Sequence, residues 1–235
     1  MCAVPLSPWQ TPTYPFPLAD TTVHLWRFPL SSATSLPELL SLDEQERAER
    51  LLLPHKTTAF RTARTRLRQI LARYLNCTPQ QVQLTITNQG KPFLADMPPQ
   101  PLFFNLAHSG DWGLCAVSRV GDLGVDLEAI DVRLDYEPIA RRFFSINEYR
   151  ALQSIAPLRR RRQFYRLWTR KEAWLKGKGG GFSEPNLGLD ALHIGSTGAT
   201  AGGWWVKSLP VTQGYIGALA VAGSVAKVEC CDWCD

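Results

Sequence analysis

Hydrophobic residues recur at helical spacing in a first long stretch of the chain, over about residues 42–75. The apolar side chains that keep this spacing are Phe60, Ala63, Leu67, Ile70, Leu71 and Tyr74. Ser41 and Glu44 form an S-x-x-E pair, the pattern of a capping box at a helix N-terminus. Pro54 interrupts the stretch, because proline is tolerated in the first turn of a helix but not in its interior. The pattern therefore predicts two helices separated near Pro54.

A second stretch of the same kind covers about residues 146–176. Its apolar positions include Phe164, Leu167, Trp168 and Leu175. Ser145 and Glu148 repeat the capping-box pattern, and Pro157 marks a break like the one at Pro54. We therefore expect a short helix followed by a longer one here as well.

The two helical stretches align with each other at a constant offset of 104 residues. The identical matches are Ser41, Glu44, Phe60, Thr65, Arg66 and Leu71 with Ser145, Glu148, Phe164, Thr169, Arg170 and Leu175. The same offset places Gly110, Gly113, Ala116 and Val117 on Gly214, Gly217, Ala220 and Val221, in strand-like runs at residues 112–118 and 215–222. Since helix and strand agree on one register, the sequence predicts two similar halves.

The repeat predicts an α+β fold made of two pseudo-symmetric halves. We expect the first half to cover residues 1–121 and the second residues 122–235, with the boundary at the turn-like pair Gly121-Asp122. A duplicated fold of this kind has a cleft between its halves, and ligands commonly bind in such clefts.

The composition of the 235-residue chain is that of a globular protein, with 45% hydrophobic and 20% charged residues. Its longest apolar stretches, such as residues 216–222, are far too short to cross a bilayer. Residues 1–17 contain five prolines and no Lys or Arg, which is unlike a signal peptide. We expect a cytoplasmic protein without a membrane partner, in which the six cysteines are free thiols.

The formal net charge of +5 indicates anionic partners. Basic residues gather in the two helical regions, at residues 47–73 and 159–178, and do not form one tail. This distribution favours a folded anion-binding surface over a disordered nucleic-acid-binding arm.

Two carboxylates alternate with apolar residues in the run Gly124-Val125-Asp126-Leu127-Glu128. In a strand this alternation puts Asp126 and Glu128 on one face and the apolar side chains on the other. Neighbouring carboxylates repel each other, and a hard cation such as Mg²⁺ relieves that repulsion. The alternative is an edge strand whose acidic face is simply solvated.

An acid and a base lie four residues apart in the run Trp168-Thr169-Arg170-Lys171-Glu172-Ala173-Trp174-Leu175-Lys176. Glu172 and Lys176 therefore share one helix face with Trp168. A surface Glu–Lys pair is the plain alternative. The two tryptophans indicate that one side of this helix is buried, which favours a functional acid and base.

Two further side chains are candidates for a site. His108 follows the strand-like run Phe103-Phe104-Asn105-Leu106-Ala107, and Lys91 is presented by the turn Gly90-Lys91-Pro92. A core histidine and a surface turn lysine are the ordinary alternatives, so neither residue decides the function alone.

Together these features resemble the Sfp-type 4′-phosphopantetheinyl transferases. The matching stretches are Asn88-Gln89-Gly90-Lys91-Pro92, Phe104-Asn105-Leu106-Ala107-His108-Ser109, Gly124-Val125-Asp126-Leu127-Glu128, Arg142-Phe143-Phe144-Ser145 and the run of residues 168–176. G-x-D-x-E followed by W-x-x-K-E-x-x-x-K is highly specific, and His55-Lys56…Arg61 extends the resemblance to most of the chain. The chain departs from the pattern at Ala107, where many members have Ser, which removes one hydroxyl contact to the ligand.

The resemblance implies two pseudo-symmetric α+β halves with coenzyme A between them. It implies that Asp126, Glu128 and Glu172 hold Mg²⁺ against the pyrophosphate, and that Lys176 also contacts the phosphates. The residues that it places at the nucleotide end of coenzyme A are Arg61, Lys91 and His108, with Arg47 and Arg50 as further candidates in a helix that aligns only with a gap.

The implied activity is a phosphopantetheinyl transfer of the holo-[acyl-carrier-protein] synthase type. A serine hydroxyl of an acidic apo acyl or peptidyl carrier protein attacks the β-phosphate of coenzyme A, and adenosine 3′,5′-bisphosphate leaves. Glu172 is the candidate general base, with Lys176 and His108 as the other catalytic candidates. A chain that carries both halves can build the whole site, so we expect a monomer.

Two other classes of protein are alternatives. A magnesium-dependent phosphohydrolase would use the same carboxylates with water as nucleophile and would need no protein acceptor. A nucleic-acid-binding module is suggested by the pI near 9.0 and by the arginines at residues 159–162. The aromatic residues lie at helical core spacing, however, and not on an exposed stacking surface, so we expect no nucleic-acid partner.

Overall fold

Two four-stranded sheets are the framework of this computed structural model, which describes residues 4–13, 16–30, 36–88, 90–96, 98–180, 199–201 and 203–234. The elements up to residue 118 are β1 (Thr22–Pro29), α1 (Leu42–Glu49), α2 (Pro54–Leu75), β2 (Leu84–Ile86), β3 (Pro92–Leu94), β4 (Phe103–Ser109) and β5 (Trp112–Ser118). The later elements are β6 (Leu123–Ala129), α3 (Glu137–Phe143), α4 (Ile146–Ser154), α5 (Pro157–Lys178), β7 (Ala199–Ala201), β8 (Trp204–Leu209), β9 (Tyr215–Ala222) and β10 (Lys227–Asp232).

Three strands of each sheet follow one topology, and the fourth strand lies at opposite ends of the two sheets. Their strand orders are β10-β1-β5-β4 and β6-β9-β8-β7, and β2 pairs with β3 as a separate hairpin. In the first sheet β5 runs antiparallel between β1 and β4, and in the second β9 runs antiparallel between β6 and β8. The α+β fold with two similar halves is thereby confirmed, and β5 and β9 are the two strands that the repeat predicted.

Both predicted capping boxes are formed. Ser41 Oγ accepts a hydrogen bond from the Glu44 amide at 3.3 Å, and Ser145 Oγ accepts one from the Glu148 amide at 3.1 Å. Each glutamate carboxylate accepts the reciprocal bond from the serine amide. The two prolines are the first residues of α2 and α5, where their missing N–H costs no helical hydrogen bond. The division of each helical stretch is therefore confirmed.

The apolar residues form three clusters. Leu67, Ile70 and Leu71 of α2 pack on Trp26 and Phe28 of the first sheet. A second cluster joins the inner sides of the two sheets. The third joins α5 to β8 and β9. The long helix of each half therefore covers its own sheet, and the sheets meet in the middle.

The last strand crosses from the second half to the first. β10 lies within residues 122–235, which the sequence assigned to the second half, but it pairs in parallel with β1 of the first half. The N-terminal segment then runs along β10, where the Ser7 amide donates to Val228 O at 3.0 Å. The division at residue 121 stays a prediction. It assigns β10 to the second half, although β10 pairs in space with a strand of the first half.

Within the described ranges, no helix combines the length and the apolar character that spanning a bilayer requires. The cysteines of the described part of the chain are free, namely Cys77, Cys115, Cys230, Cys231 and Cys234. Cys2 lies outside the described residues.

Candidate active site

A cleft of about 320 Å³ opens between the two halves of the molecule. Both α2 and β4 of the first half and α5 of the second half form its walls. The predicted site residues that line it are Arg47, Lys91, His108, Glu172 and Lys176. The structure therefore brings together side chains that are up to 129 positions apart in the sequence.

The strand β6 presents its two carboxylates on one face, as its sequence pattern predicts. Val125 and Leu127 are buried in the cluster between the sheets, while Asp126 and Glu128 point the other way. Asp126 is only 3% exposed. The prediction of a strand with one acidic face is thus confirmed. The strand lies at the edge of its sheet, as the alternative supposed, but Asp126 is not solvated.

Polar side chains of β4 tie that strand to β6. Asn105 Oδ1 accepts a hydrogen bond from the Val125 amide at 2.9 Å. Ser109 Oγ donates to Glu128 Oε2 at 3.0 Å and accepts from the Ala129 amide at 3.1 Å. Sequence reasoning did not single out Asn105 and Ser109 as separate residues, although both lie in the run that ends near His108. Their bonds fix the position of the acidic face relative to the cleft.

The helix α5 lies directly on the backbone of β6. A Cβ atom at Gly124 would come within 2.0 Å of Ala173 O and 2.2 Å of Gly177 N. Only glycine permits this approach, which brings Lys176 Nζ to 2.6 Å from Asp126 Oδ1. The predicted pairing of the two motifs is therefore a real contact, made possible by a residue of the first motif.

Burial and the nearby Asp126 raise the pKa of both glutamates at this end of the site. Burial, together with the neighbouring Asp126, raises the pKa of Glu172 to about 7, although Lys176 opposes the shift. Burial and Asp126 also raise the pKa of Glu128, against hydrogen bonds from Ser109 and Trp168. The negative charges of Asp126, Glu128 and Glu172 therefore disfavour one another.

Lys176 supplies positive charge beside these acids. Burial disfavours its ammonium, but Asp126, Glu172 and Glu128 outweigh burial and raise the pKa of Lys176 above its ordinary value. The side chain is therefore a cation, and it is held on Asp126 by a charge-assisted hydrogen bond.

The donor set fits a hard divalent cation. All three acids offer oxygen, the ligand that Mg²⁺ prefers, and Asp126 Oδ2 is buried without a hydrogen-bond partner. Among the described residues, no three His, Cys, Asp or Glu side chains stand close enough together to form a ready metal cage. In the arrangement described, Lys176 is the countercharge that Asp126 contacts.

The other end of the cleft is basic. His108 opens into it, and desolvation, with Lys176 and Arg64 nearby, lowers the pKa of His108. Burial lowers the pKa of the Arg64 guanidinium, although Glu44 opposes this effect, and Arg64 Nη1 is buried without a hydrogen-bond partner. Crowded cations of this kind are suited to an anionic ligand.

Sequence reasoning missed Arg64. Four arginines occur at positions 61, 64, 66 and 68, and they look alike in the sequence. Arg64 follows Phe60 by four residues, however, and so falls on the apolar side of α2. A charged residue on the apolar side of a helix is unusual, and this position in the sequence could have identified Arg64 as a candidate.

Three residues that were predicted to contact the nucleotide, Lys91, Arg50 and Arg61, have other surroundings than His108 and Arg47. Lys91 Nζ donates to Gly177 O at 2.9 Å and to Leu123 O at 3.3 Å, so it links the β2–β3 hairpin to the second half. Arg50 pairs with Glu46 on the surface. Neither Arg50 nor Arg61 is among the described residues that line the cleft, and Arg61 Nε is buried without a hydrogen-bond partner.

A wider cavity of about 790 Å³ continues the basic end. It shares Arg47, Phe60 and His108 with the cleft and adds His55 and Lys56. Because the two cavities share these three residues, the basic surface extends beyond the cleft.

Two family models match the chain. The model described as 4′-phosphopantetheinyl transferase superfamily matches residues 122–203, and the model described as 4′-phosphopantetheinyl transferase, N-terminal, matches residues 25–119. Both lie on the residues that form the cleft.

Curated relatives carry the same description. The chain is 37% identical over 217 residues to the 4′-phosphopantetheinyl transferase HetI of Nostoc sp., covering 88% of this chain and 90% of that protein. It is 45% identical over 145 residues to a putative 4′-phosphopantetheinyl transferase of Synechocystis sp., covering 62% and 59%. It is 32% identical over 158 residues to the 4′-phosphopantetheinyl transferase Sfp of Bacillus subtilis, covering 66% of each.

Proposed function

Because this chain belongs to the 4′-phosphopantetheinyl transferase superfamily, it transfers phosphopantetheine from coenzyme A to carrier proteins, and we propose that it does so in the cleft between its halves. The observation that carries the proposal is the meeting of Asp126, Glu172 and Lys176 across the contact between β6 and α5. Glu172 and Lys176 line the cleft itself, and Lys176 contacts the buried Asp126, which is not among the lining residues.

The acid end of the cleft is proposed to bind the pyrophosphate of coenzyme A. Asp126, Glu128 and Glu172 would hold Mg²⁺, and their oxygen donors and mutual repulsion support this assignment. When bound, the cation supplies charge compensation to the phosphates. Lys176 would then turn its ammonium from Asp126 to a phosphate oxygen, which needs only a rotation of its long side chain.

The basic end is proposed to bind the nucleotide. His108, Arg47 and Arg64 line it. A phosphate group would relieve the repulsion between the two arginines and accept a hydrogen bond from His108. Lys91 would act by holding the hairpin on the second half and not by touching the ligand, because both of its resolved hydrogen bonds end on backbone carbonyls. Arg50 and Arg61 stay predictions from the resemblance.

Glu172 is the proposed general base. The serine Oγ of the carrier protein forms a bond to the β-phosphorus, its proton passes to a Glu172 oxygen, and the bond from phosphorus to the leaving oxygen breaks. Adenosine 3′,5′-bisphosphate departs with that electron pair, and Lys176 donates to the oxygens that gain charge.

The transfer is tested by incubating the protein with coenzyme A and a panel of apo acyl and peptidyl carrier proteins. We expect a mass increase of one phosphopantetheine group on the carrier serine, abolished by chelator and by Asp126→Asn. Cleavage of coenzyme A without a carrier would instead identify the magnesium-dependent phosphohydrolase. The panel also decides whether acyl carriers, as in holo-[acyl-carrier-protein] synthases, are the preferred acceptors.

The nucleotide end is tested by titration calorimetry with coenzyme A. Arg64→Ala should weaken binding by about tenfold or more, because a charge-assisted contact to phosphate is lost. Arg50→Ala removes the same charge from an exposed ion pair outside the cleft and is the matched control. Equal losses in both variants would count against a direct role for Arg64.

We also propose that the protein works as a monomer in the cytoplasm. All described residues of the cleft come from one chain, so no second copy is needed to complete it. The five described cysteines are free thiols, which suits a reducing compartment. The mass of the active species in solution, against 26.3 kDa for one chain, tests the first statement.

A further inference from the structure

A second cleft, of about 680 Å³, lies beside α5 in a place that the transfer reaction does not use. We call it the second cleft and define it by Leu6, Trp9, Arg162, Arg166, Arg170 and Lys207 among its lining residues. The three arginines follow one another at four-residue intervals along α5. Positions two apart on a helix point to nearly opposite sides, so Arg170 and Glu172 serve different cavities.

The charge of the second cleft has one sign. Four cations line it, and no Asp or Glu is found among the described residues that do so. Arg162 and Arg166 are exposed, and within the described part of the chain their guanidinium groups make no hydrogen bond, ion pair or ring contact. Such a concentration of positive charge in a concave site attracts anions.

Two of the cations form the floor of the second cleft. Arg170 and Lys207 are each only 6% exposed. Arg170 Nε donates to Ser208 Oγ at 2.8 Å, and Lys207 Nζ donates to Val4 O at 2.7 Å. Burial and the nearby Arg166 lower the pKa of Arg170 to about 10, and burial lowers the pKa of Lys207. An anion in the second cleft would stabilise both charges.

Arg27 supports one wall of the second cleft. Its guanidinium lies 4.5 Å from the centre of the Trp9 ring and donates to Val211 O, while its other side pairs with Asp232.

We propose that the second cleft binds a small organic anion with more than one phosphate group. Guanidinium forks bind phosphate oxygens in pairs, and three of them one helical turn apart match a ligand with several phosphates. The apolar wall formed by Leu6, Trp9, Val211 and Ile216 accommodates the organic part. Because Arg170 and Lys207 lie at the floor, a small ligand reaches them and a folded protein surface does not.

Titration calorimetry in chelator tests the proposal, with adenosine 3′,5′-bisphosphate and inorganic pyrophosphate as probes. Arg64→Ala is the background, because it weakens the competing active cleft. In that background we expect saturable binding of adenosine 3′,5′-bisphosphate. Adding Arg162→Ala and Arg166→Ala should weaken this binding by about tenfold or more. Both arginines are exposed, so these changes leave the core intact.

The matched control adds Arg150→Ala and Arg159→Ala, two exposed arginines outside the second cleft, and should leave the affinity unchanged.

In the wild-type background, Arg162→Ala with Arg166→Ala should keep the transferase rate at saturating substrates. Absence of saturable binding in the Arg64→Ala background would overturn the proposal, as would equal losses in the control. If pyrophosphate bound as tightly as adenosine 3′,5′-bisphosphate, the proposal that the organic part of the ligand contributes to binding would be overturned. A raised KM for the carrier protein with unchanged anion affinity would assign the arginines to protein docking instead.

Discussion

Lys176 balances the charge of the active cleft at the scale of single residues. Its ammonium is the nearest cation to Asp126, at 2.6 Å, and three acids keep it protonated against the effect of burial. Glu172 is left with a pKa near 7 in the same arrangement, because burial and Asp126 both disfavour its charge. Any cation that enters the cleft therefore changes the basicity of Glu172, since positive charge favours its ionised form.

Glu172→Gln separates the two roles of this residue. The change keeps the shape and one oxygen but removes the basic group. If Glu172 is the base, we expect near-normal coenzyme A and Mg²⁺ binding with a rate loss of roughly 10²-fold or more. Steady-state kinetics over a range of Mg²⁺ concentrations measures this. Recovery of near wild-type turnover at high Mg²⁺ would show that Glu172 serves mainly as a ligand.

His24 is a buried titratable residue far from the acids of the active cleft. It is fully buried, with Nδ1 2.8 Å from the Tyr74 hydroxyl and its ring stacked on Phe16. Burial lowers the pKa of His24 to about 4, although Glu229 opposes the shift. The folded protein therefore holds this imidazole neutral at pH values where the unfolded chain protonates it.

We predict that His24 makes the protein less stable in acid. Between pH 6.5 and about 4 the unfolded chain binds more protons at this residue, so stability is full above pH 6.5 and falls as pH falls. The loss amounts to up to about 3 kcal/mol, at 1.36 kcal/mol for each pKa unit. Urea unfolding of wild type and His24→Phe at several pH values measures it. Other groups titrate equally in both proteins, so parallel pH profiles would refute the prediction.

The contact between β6 and α5 is the element-scale feature on which the active cleft depends. Gly124 and Gly177 lie against each other, and a Cβ at Gly177 would come within 2.5 Å of the Trp204 ring. No side chain separates strand from helix here, so the acidic face of β6 and the Glu172–Lys176 face of α5 share one cleft. Adding a methyl group to either glycine would therefore displace the strand or the helix.

Gly124→Ala tests that dependence. Its Cβ would overlap the backbone of α5 at Ala173 and Gly177, which cannot be relieved by a side-chain rotation. We expect a loss of about 3 kcal/mol or more in the free energy of unfolding, with severe loss of transfer activity. Denaturant unfolding measures the first and carrier modification the second. Gly180→Ala is the stability control, because the nearest atom to its Cβ lies 3.8 Å away. A stability like wild type in Gly124→Ala would contradict the close contact.

Elements with local signals could be predicted from the sequence. Ser41, Ser145, Pro54 and Pro157 act within one helical turn, so the helix starts were accessible without tertiary structure. The acidic face of β6 was accessible because strand alternation needs only neighbouring residues. The family resemblance added the ligand and the reaction, which alternation alone does not give.

Features that depend on distant partners could not be predicted. The parallel pairing of β10 with β1 joins residues about 200 positions apart, and no local pattern encodes it. Lys91 donates hydrogen bonds to backbone carbonyls. Every residue has such a carbonyl, so the sequence does not show which residues accept these bonds. Arg64 differs from its arginine neighbours only in the direction that it faces, and this is set by how α2 packs.

At the scale of the whole molecule, the chain ends join the two halves. β10 lies between β1 and the N-terminal segment, whose backbone bridges to it at Leu6 and Gln10. Val228 and Cys230 belong to the cluster between the sheets, and Cys231 belongs to the cluster under α2. A strand from the second half thus completes the core of the first, so the halves are coupled in stability.

We predict that removing β10 unfolds both halves together. A chain ending at Gly223 loses the buried side chains of Val228, Cys230 and Cys231 and exposes the edge of β1. Each buried apolar side chain contributes about 1.5–3 kcal/mol, so the total approaches the whole stability of a typical domain, about 5–15 kcal/mol. Circular dichroism and tryptophan fluorescence should lose native signal to the same extent, because a coupled structure unfolds in one transition. A chain ending at Trp233 removes only the exposed Cys234 and the final residue and should unfold like the full chain. If the second half of the Gly223 truncation kept native helicity while the first unfolded, the halves would be independent and the coupling through β10 would be disproved.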